Sequence, residues 1–455
     1  MPSTPFDSTL FRDFFGTPAM RAVFADEALV GRYLEVEVAL ARAQAALDII
    51  PERAAREIAA KATLDIVDFA RLKTETERVG YPILPLVHQI AERCSGGLGE
   101  YAHWGATTQD IMDCAVVLQV RDALMIVEAD LTAVGEALAA LAGRHRDTAM
   151  VGRTHLQHAL PITFGYKAAV WLSAIDRHRE RLAELRPRAL VAEFGGAAGT
   201  LASLGDQGLA VRKGLARELG LDEPVVTLHV MRDGLAEVVT FLGLVTGTLG
   251  KIAYDVMLMM QNEVAETFEP FAPGRGASST MPQKRNPISC ELILAAGKGV
   301  RQQVGLMLDA MVQDHERATG PWHAEWLAIP ESFLLTASAL HQARFLLEGL
   351  EVDKDRMHGN LGLTGGLIVA EAVMMALAPT LGRQRAHDVV YDACRRSLDD
   401  KVPFLDVLKA EREVTAHLSE SDLAALVEPA NYVGLAAEMV DQVLAGRRKR
   451  SSRKS

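Results

Sequence analysis

The sequence predicts an all-α protein, on three observations. Apolar residues make up 49% of the 455, yet aromatics only 5%, so the core is built from Ala, Leu, Val and Met. Such residues suit helices better than the β-branched and aromatic surfaces of sheets. Apolar positions recur at three- and four-residue spacing through most of the chain, and alternating β-branched runs closed by tight turns are nearly absent.

In chain order, residues 1–110 read as an N-terminal helical domain that ends in a Gly/Thr-rich turn. Residues 111–350 read as a central long-helix bundle, with helical periodicity over 111–146, 162–186, 232–266 and 287–313. The third of these is apolar on nearly all sides: Phe241, Leu242, Leu244, Val245, Leu249 and Ile252 are followed by Val256, Met257, Met259 and Met260. A helix of that kind must be surrounded, which places it at the centre of a bundle shared by an oligomer. Its most apolar stretch, 238–250, lies between Glu237 and Lys251 and falls short of the roughly 20 residues a bilayer crossing needs. No membrane partner is therefore expected. Residues 351–455 read as a C-terminal helical domain, broken at 359–366 and around Pro403 and Pro429, with a basic tail from Arg447 expected to be disordered.

Charge excludes one class of partner. With 48 basic against 59 acidic residues, net −11, the chain has no footprint for nucleic acid, and any anion site must be a local concentration of cations. The cysteines Cys94, Cys114, Cys290 and Cys394 lie far apart without metal or redox spacing, which suits free thiols in a reducing cytoplasm. No secretory pattern opens the chain, and neither a metal-ligand spacing nor a phosphate-binding glycine loop is visible, so no metal and no cofactor are expected.

Three segments carry chemistry. The loop 274–288 reads Gly-Arg-Gly-Ala-Ser-Ser-Thr-Met-Pro-Gln-Lys-Arg-Asn-Pro-Ile. Gly274 and Gly276 loosen its backbone while Pro282 and Pro287 keep it from becoming helical. Ser278, Ser279, Lys284 and Asn286 supply hydroxyls, a cation and an amide suited to closing over an anionic substrate. A polar surface loop would share the Gly, Ser and Pro content, but not the packing of Met281-Pro282 and Lys284 to Pro287 into so short a stretch.

A second segment, Gly152-Arg-Thr154-His155-Leu-Gln157-His158, lies between two long helical stretches, so His155 is expected where a loop meets a helix start. Histidine exchanges protons near neutrality, and Thr154 and Gln157 could orient it or hold a carboxylate. The third segment is His103-Trp-Gly-Ala-Thr107-Thr108-Gln109-Asp110. Its hydroxyls before an apolar helical pattern read as a helix N-cap, and a helix N-terminus also favours an anion.

These segments resemble the fumarase/aspartase superfamily, whose signature loop runs Gly-Ser-Ser-x-Met-Pro-x-Lys-x-Asn-Pro. Ser278, Ser279, Met281, Pro282, Lys284, Asn286 and Pro287 fall on that pattern, and Ala277 replaces its Gly. Gly152 to Gln157 match the Gly-Arg-Thr-His-x-Gln region, and His103 to Asp110 match His-x-Gly-x-Thr-Ser-x-Asp with Thr108 in the Ser position. The resemblance implies an all-helical protomer and a homotetramer whose active sites each draw on three subunits. It also implies His155 and Ser278 as catalytic proton-transfer groups, with His155 the safer general acid/base. His103, Thr107, Thr108, Gln109, Thr154, Gln157, Ser279, Met281, Lys284 and Asn286 become substrate-binding residues. Arg317 binds a carboxylate or pairs with Glu316.

Further stretches, among them 194–205 and Trp322-His-Ala-Glu-Trp326, resemble the 3-carboxy-cis,cis-muconate cycloisomerase group. That implies a small polycarboxylate substrate and ring closure by carboxylate addition. A sulfonated muconate, or a succinyl adduct cleaved by a C–N lyase, are the alternatives.

Overall fold

The computed structural model describes residues 4–317 and 319–452. Five long helices dominate: α1 (Thr108–Arg144), α2 (Phe164–Ala189), α3 (Asp233–Met259), α4 (Ile288–Ala310) and α5 (Pro321–Glu348). Four coincide with the periodic segments read from sequence, because an apolar stripe recurring at helical spacing has one way to be buried. α3 stops at Met259, seven residues before the end of its periodic segment, and Ala265 takes φ 53° in the turn that follows.

α3 runs 27 residues, longer than the apolar stretch first read, and by length and composition alone it could cross a membrane. Yet 56% of that apolar window is buried inside the protein, as in a core helix. Phe241, Leu242, Val245, Leu249, Ile252 and Val256 are inside. One side stays open: Leu244 is 50% exposed and Tyr254 54%, with Gly247 and Lys251 exposed between them. The spacing of three and four places these four on one stripe.

Strand among the described residues is confined to two antiparallel pairs, β1 (Ala149–Thr154) with β2 (Gln157–Thr163) and β3 (Thr267–Phe268) with β4 (Glu351–Val352). The first pair corrects the expectation that His155 stands at a helix start: Thr154 pairs with Gln157, which leaves His155 and Leu156 as the two-residue tip of a hairpin. A Cβ at Gly152 would come within 2.7 Å of the Leu160 carbonyl oxygen, so the hairpin's close approach needs glycine there.

The chain forms two compact units, with the divisions falling inside the five long helices. One comprises Met1–Thr132, His178–Gly250 and Leu292–His341, and the other Ala133–Arg177, Lys251–Glu291 and Gln342–Ser455. The first is centred on Leu40, Ile58, Ile83, Leu86, Ile90, Leu118 and Phe194, and the second contains a smaller core around Val373, Leu377 and Phe404. The expected disordered tail is corrected in part: α6 (Ala436–Ser452) continues through it, and Arg447 pairs with Asp176 and Glu136. The last three residues lie outside the described ones.

Candidate active site

The residues singled out by sequence fall into two groups, one in each unit. In the first, α1 begins at Thr108 with Thr107 as its cap, as the hydroxyl-rich start implied. The Thr107 N–H donates to Asp110 Oδ2 at 2.8 Å, the return half of a capping box. Asp110 does more than cap. Its two oxygens also accept the Gly195 and Gly196 N–H groups at 2.8 and 3.0 Å and His229 Nε2 at 2.7 Å. Four donors on one fully buried carboxylate fix the start of α1 against the glycine turn at 195–196. That turn needs its glycine: a Cβ on Gly195 would lie 2.4 Å from the Thr227 methyl.

Arg317 is placed by the same knot. Its Nη1 donates to Thr107 Oγ1 at 2.6 Å and its Nη2 to the Gly196 and Ala197 carbonyls at 3.3 and 2.7 Å. No ion pair with Glu316 is recorded among the described residues, which corrects one of the two roles foreseen for it. Ala318 next to it lies outside the described residues. His103 adopts φ 57° and gives both its backbone N–H and Nδ1 to Glu37, at 3.0 and 2.7 Å. Burial works against a charged imidazole there, but the Glu37 carboxylate outweighs it and raises the His103 pKa. Thr108 is half-buried. Gln109 is wholly buried and donates to Asp113 and the His229 carbonyl at 3.0 and 2.8 Å, so its amide braces the wall behind the helix start.

Sequence reasoning missed that wall. Arg232 reaches Asp113 at 2.8 and 3.1 Å and Glu325 at 2.8 and 2.6 Å, all three nearly inaccessible. Trp322 Nε1 donates to Asp113 at 3.0 Å while its ring stacks on Tyr81, which makes it a core anchor. Burial alone would favour a neutral guanidinium, but the two carboxylates keep Arg232 charged. No local pattern pairs side chains separated by 119 and 93 positions.

Beside this cluster lies buried Glu193, whose carboxyl is pushed up to about 8 by burial first and by Asp113 second. A carboxyl raised in the fold holds its proton where the unfolded chain has released it. Its stabilising effect is complete below about pH 4.3, the ordinary Glu value, and is lost as pH rises through about 8. Glu193→Gln mimics the protonated form, so its thermal midpoint should decline less than the parent's between pH 5 and 8. Parallel curves across that range would refute the assignment.

In the second unit the hairpin is held just behind its tip. Arg153 makes a two-pronged pair with fully buried Glu266 at 2.9 and 2.7 Å, and Asn360 Nδ2 donates to the same carboxylate at 2.8 Å. Beyond that anchor, Thr154, His155 and Gln157 are exposed, and Leu156 is 81% exposed. His155 and Leu156 both take left-handed backbone, φ 49° and 63°. This suits a two-residue hairpin turn but strains a leucine, a combination that clusters at functional sites.

The loop 274–288 is stapled at both arms. Arg275 donates to Ser289 Oγ and Gln342 Oε1 at 2.6 and 2.8 Å and lies over the Phe345 ring at 4.2 Å. On the returning arm, Ala277 bridges to Arg285 and the Asn286 N–H donates to the Gly276 carbonyl at 3.0 Å. Gly276 is at φ 67°, and a Cβ there would meet the Asn286 oxygen at 2.6 Å, so this glycine supplies the bend that the signature assigns to the position of Ala277. At the loop's turn, Ser278 Oγ accepts the N–H groups of Thr280 and Met281 at 3.3 and 3.0 Å. Ser279, Met281 and Lys284 are exposed and Asn286 half-buried. No hydrogen bond joins the hairpin tip to the loop among the described residues.

Comparison with known proteins gives two family matches. Residues 15–301 match the family described as lyase, and residues 366–443 match the adenylosuccinate lyase C-terminus. The chain is 48% identical to a 3-carboxy-cis,cis-muconate cycloisomerase of Pseudomonas aeruginosa, over 96% of each chain. It is also 48% identical to trans-aconitate decarboxylase 1 of Mycosarcoma maydis, over 98% of this chain and 90% of that one. A crystal structure of a fumarate lyase from Mesorhizobium sp. BNC1 superposes with TM-score 0.90 at 55% identity, over 95% of this chain and 98% of the other.

Proposed function

We propose, given that this chain belongs to the lyase family of the fumarase/aspartase superfamily, that it closes 3-carboxy-cis,cis-muconate to 4-carboxymuconolactone in aromatic catabolism. One carboxylate oxygen adds to the conjugated double bond, and the neighbouring carbon takes a proton. All atoms of the substrate remain in the product. The passing enolate-like state gathers charge on a second carboxylate, which cations and N–H donors stabilise.

The observation that carries this reading is the seat of Ser278. Serine is a weak base at its free pKa, and two loop N–H groups aimed at its oxygen are what an alkoxide would need. Lys284 and Asn286 stand three and five residues beyond Met281, and Arg285 between them ties down the arm they share. They are assigned to the charged carboxylate, while Thr107, Thr108 and the start of α1 are assigned to another. His155 delivers or accepts the proton at carbon.

A homotetramer with each site drawn from three subunits agrees with two features of the chain. The open stripe of α3 needs a cover, and His155 and Leu156 stand on an exposed, strained tip where the His155 side chain makes no hydrogen bond among the described residues. Free thiols at all four cysteines suit a reducing cytoplasm.

A second reading rests on the relative of equal identity that is a trans-aconitate decarboxylase. Three parallel assays separate the readings: loss of ultraviolet absorbance from 3-carboxy-cis,cis-muconate, carbon dioxide release from trans-aconitate, and fumarate release from adenylosuccinate. Fast loss of the conjugated diene with the other two silent is the expected result. Carbon dioxide or fumarate release without diene loss would replace the cycloisomerase by a decarboxylase or a C–N lyase.

A further inference from the structure

The returning arm of the signature loop is tied down by a side chain that the signature leaves unspecified. Arg285 Nη1 and Nη2 donate to Glu351 at 3.2 and 2.9 Å, and Nη2 also donates to the Glu269 carbonyl at 2.7 Å. Its guanidinium lies 5.4 and 5.7 Å from the centres of the Phe268 and Phe271 rings. Glu351 in turn accepts the Phe271 N–H at 3.0 Å and sits on β4, paired with Phe268 of β3. One arginine thus fastens the loop, through five contacts, to the β3–β4 ladder and the residues just after β3.

Position decides what that fastening does. Arg285 is extended in a bridge with Ala277, and in extended backbone successive side chains point to opposite sides. Holding Arg285 against Glu351 and the phenylalanines therefore turns Lys284 and Asn286 away from the ladder. The Asn286 N–H on the Gly276 carbonyl fixes the same register from the backbone. Were the Arg285 side chain released, the arm could twist by half a repeat and exchange the two sides.

We propose that Arg285 and Glu351 form a latch that positions Lys284 and Asn286 for the substrate, so that Arg285 is a positioning residue of this enzyme. The inference rests on the reading of Lys284 and Asn286 as the carboxylate clamp. The Glu351 carboxyl is held below its usual range by the Arg285 hydrogen bonds, so the pair is ionised at neutral pH. Both side chains are more than a third exposed, at 37 and 43%, and an exposed pair adds little to overall stability. The latch acts on loop geometry, and the thermal midpoint should hardly move when it is broken.

The test is a charge swap in the full chain, with Arg285→Glu, Glu351→Arg and the double variant. Two readouts are taken: amide hydrogen exchange of residues 277–286 without substrate, and steady-state turnover of 3-carboxy-cis,cis-muconate. Each single variant should speed exchange in the loop and lower kcat by about 100-fold, the scale set by a misplacement of about 1 Å, with KM little changed. The double variant should restore protection and bring kcat back to within about tenfold of the parent, as coupled partners do. Arg285→Lys should give an intermediate loss, because ammonium cannot make the forked contact. Unchanged exchange in the single variants, or a double variant as poor as either, would overturn the latch. Since exchange is read without substrate, a parent enzyme that ignores muconate would refute the proposed reaction and leave the latch judged on its own data.

Discussion

Ser278→Ala is expected to lower kcat on 3-carboxy-cis,cis-muconate by about 10²–10⁴-fold, the usual scale of a lost general acid or base. Ser279→Ala, one residue on, should cost far less. The difference between them follows from geometry: Ser278 Oγ holds the Thr280 and Met281 N–H groups, whereas Ser279 is exposed and its side chain makes no hydrogen bond among the described residues. Replacing Ser278 also removes the acceptor for those donors, so a loosened loop must be told apart from lost chemistry. Loop hydrogen exchange makes that separation: unaltered protection with lost kcat assigns the loss to the oxygen itself. His155→Ala should lose a comparable factor, and here the pH profile decides. A catalytic imidazole removes one limb of the kcat profile when it is deleted. Retention of kcat within about threefold in Ser278→Ala would pass the proton-transfer role to His155 alone.

Arg232→Ala is expected to destabilise the protein by about 3–5 kcal/mol, because it leaves Asp113 and Glu325 buried without their cation. Denaturant unfolding of the first unit, followed by Trp322 and Trp326 fluorescence, is the natural measurement. Arg232→Met together with Asp113→Leu and Glu325→Leu should be less harmful than the single change, since an apolar replacement removes the unpaired charges. A single variant within about 1 kcal/mol of the parent would mean that water reaches the carboxylates, against their near-complete burial.

Both effects lie in parts of the molecule that the sequence discloses unequally. The long helices were legible because each buries a stripe, and the stripe is written at three- and four-residue spacing. The site segments were legible because their residue types are odd in combination. The hairpin was not: its strands are six and seven residues long, and its turn is His-Leu where Asn-Gly would be the recognisable pair. A tertiary anchor of Arg153 on Glu266, 113 positions away, helps hold that turn in place, and no local pattern discloses it. Likewise Asp110 reads as an ordinary cap residue until the Gly195 and Gly196 amides and His229 arrive from more than 80 positions downstream. The C-terminal basic run looked like a tail because charge alone predicts solvation. Arg447 escapes that rule by finding Asp176 and Glu136.

The left-handed pair at His155 and Leu156 has a consequence for anyone who sets out to make this protein more heat-resistant. Each strained residue of this kind stores about 1–3 kcal/mol, and Asn-Gly at the same two positions would release much of it. A screen that rewards survival at high temperature would therefore drift toward the substitution that deletes the imidazole proposed here for proton transfer. On that proposal the fold would improve while the catalyst is lost, so selection for endurance here has to be coupled to turnover at every round.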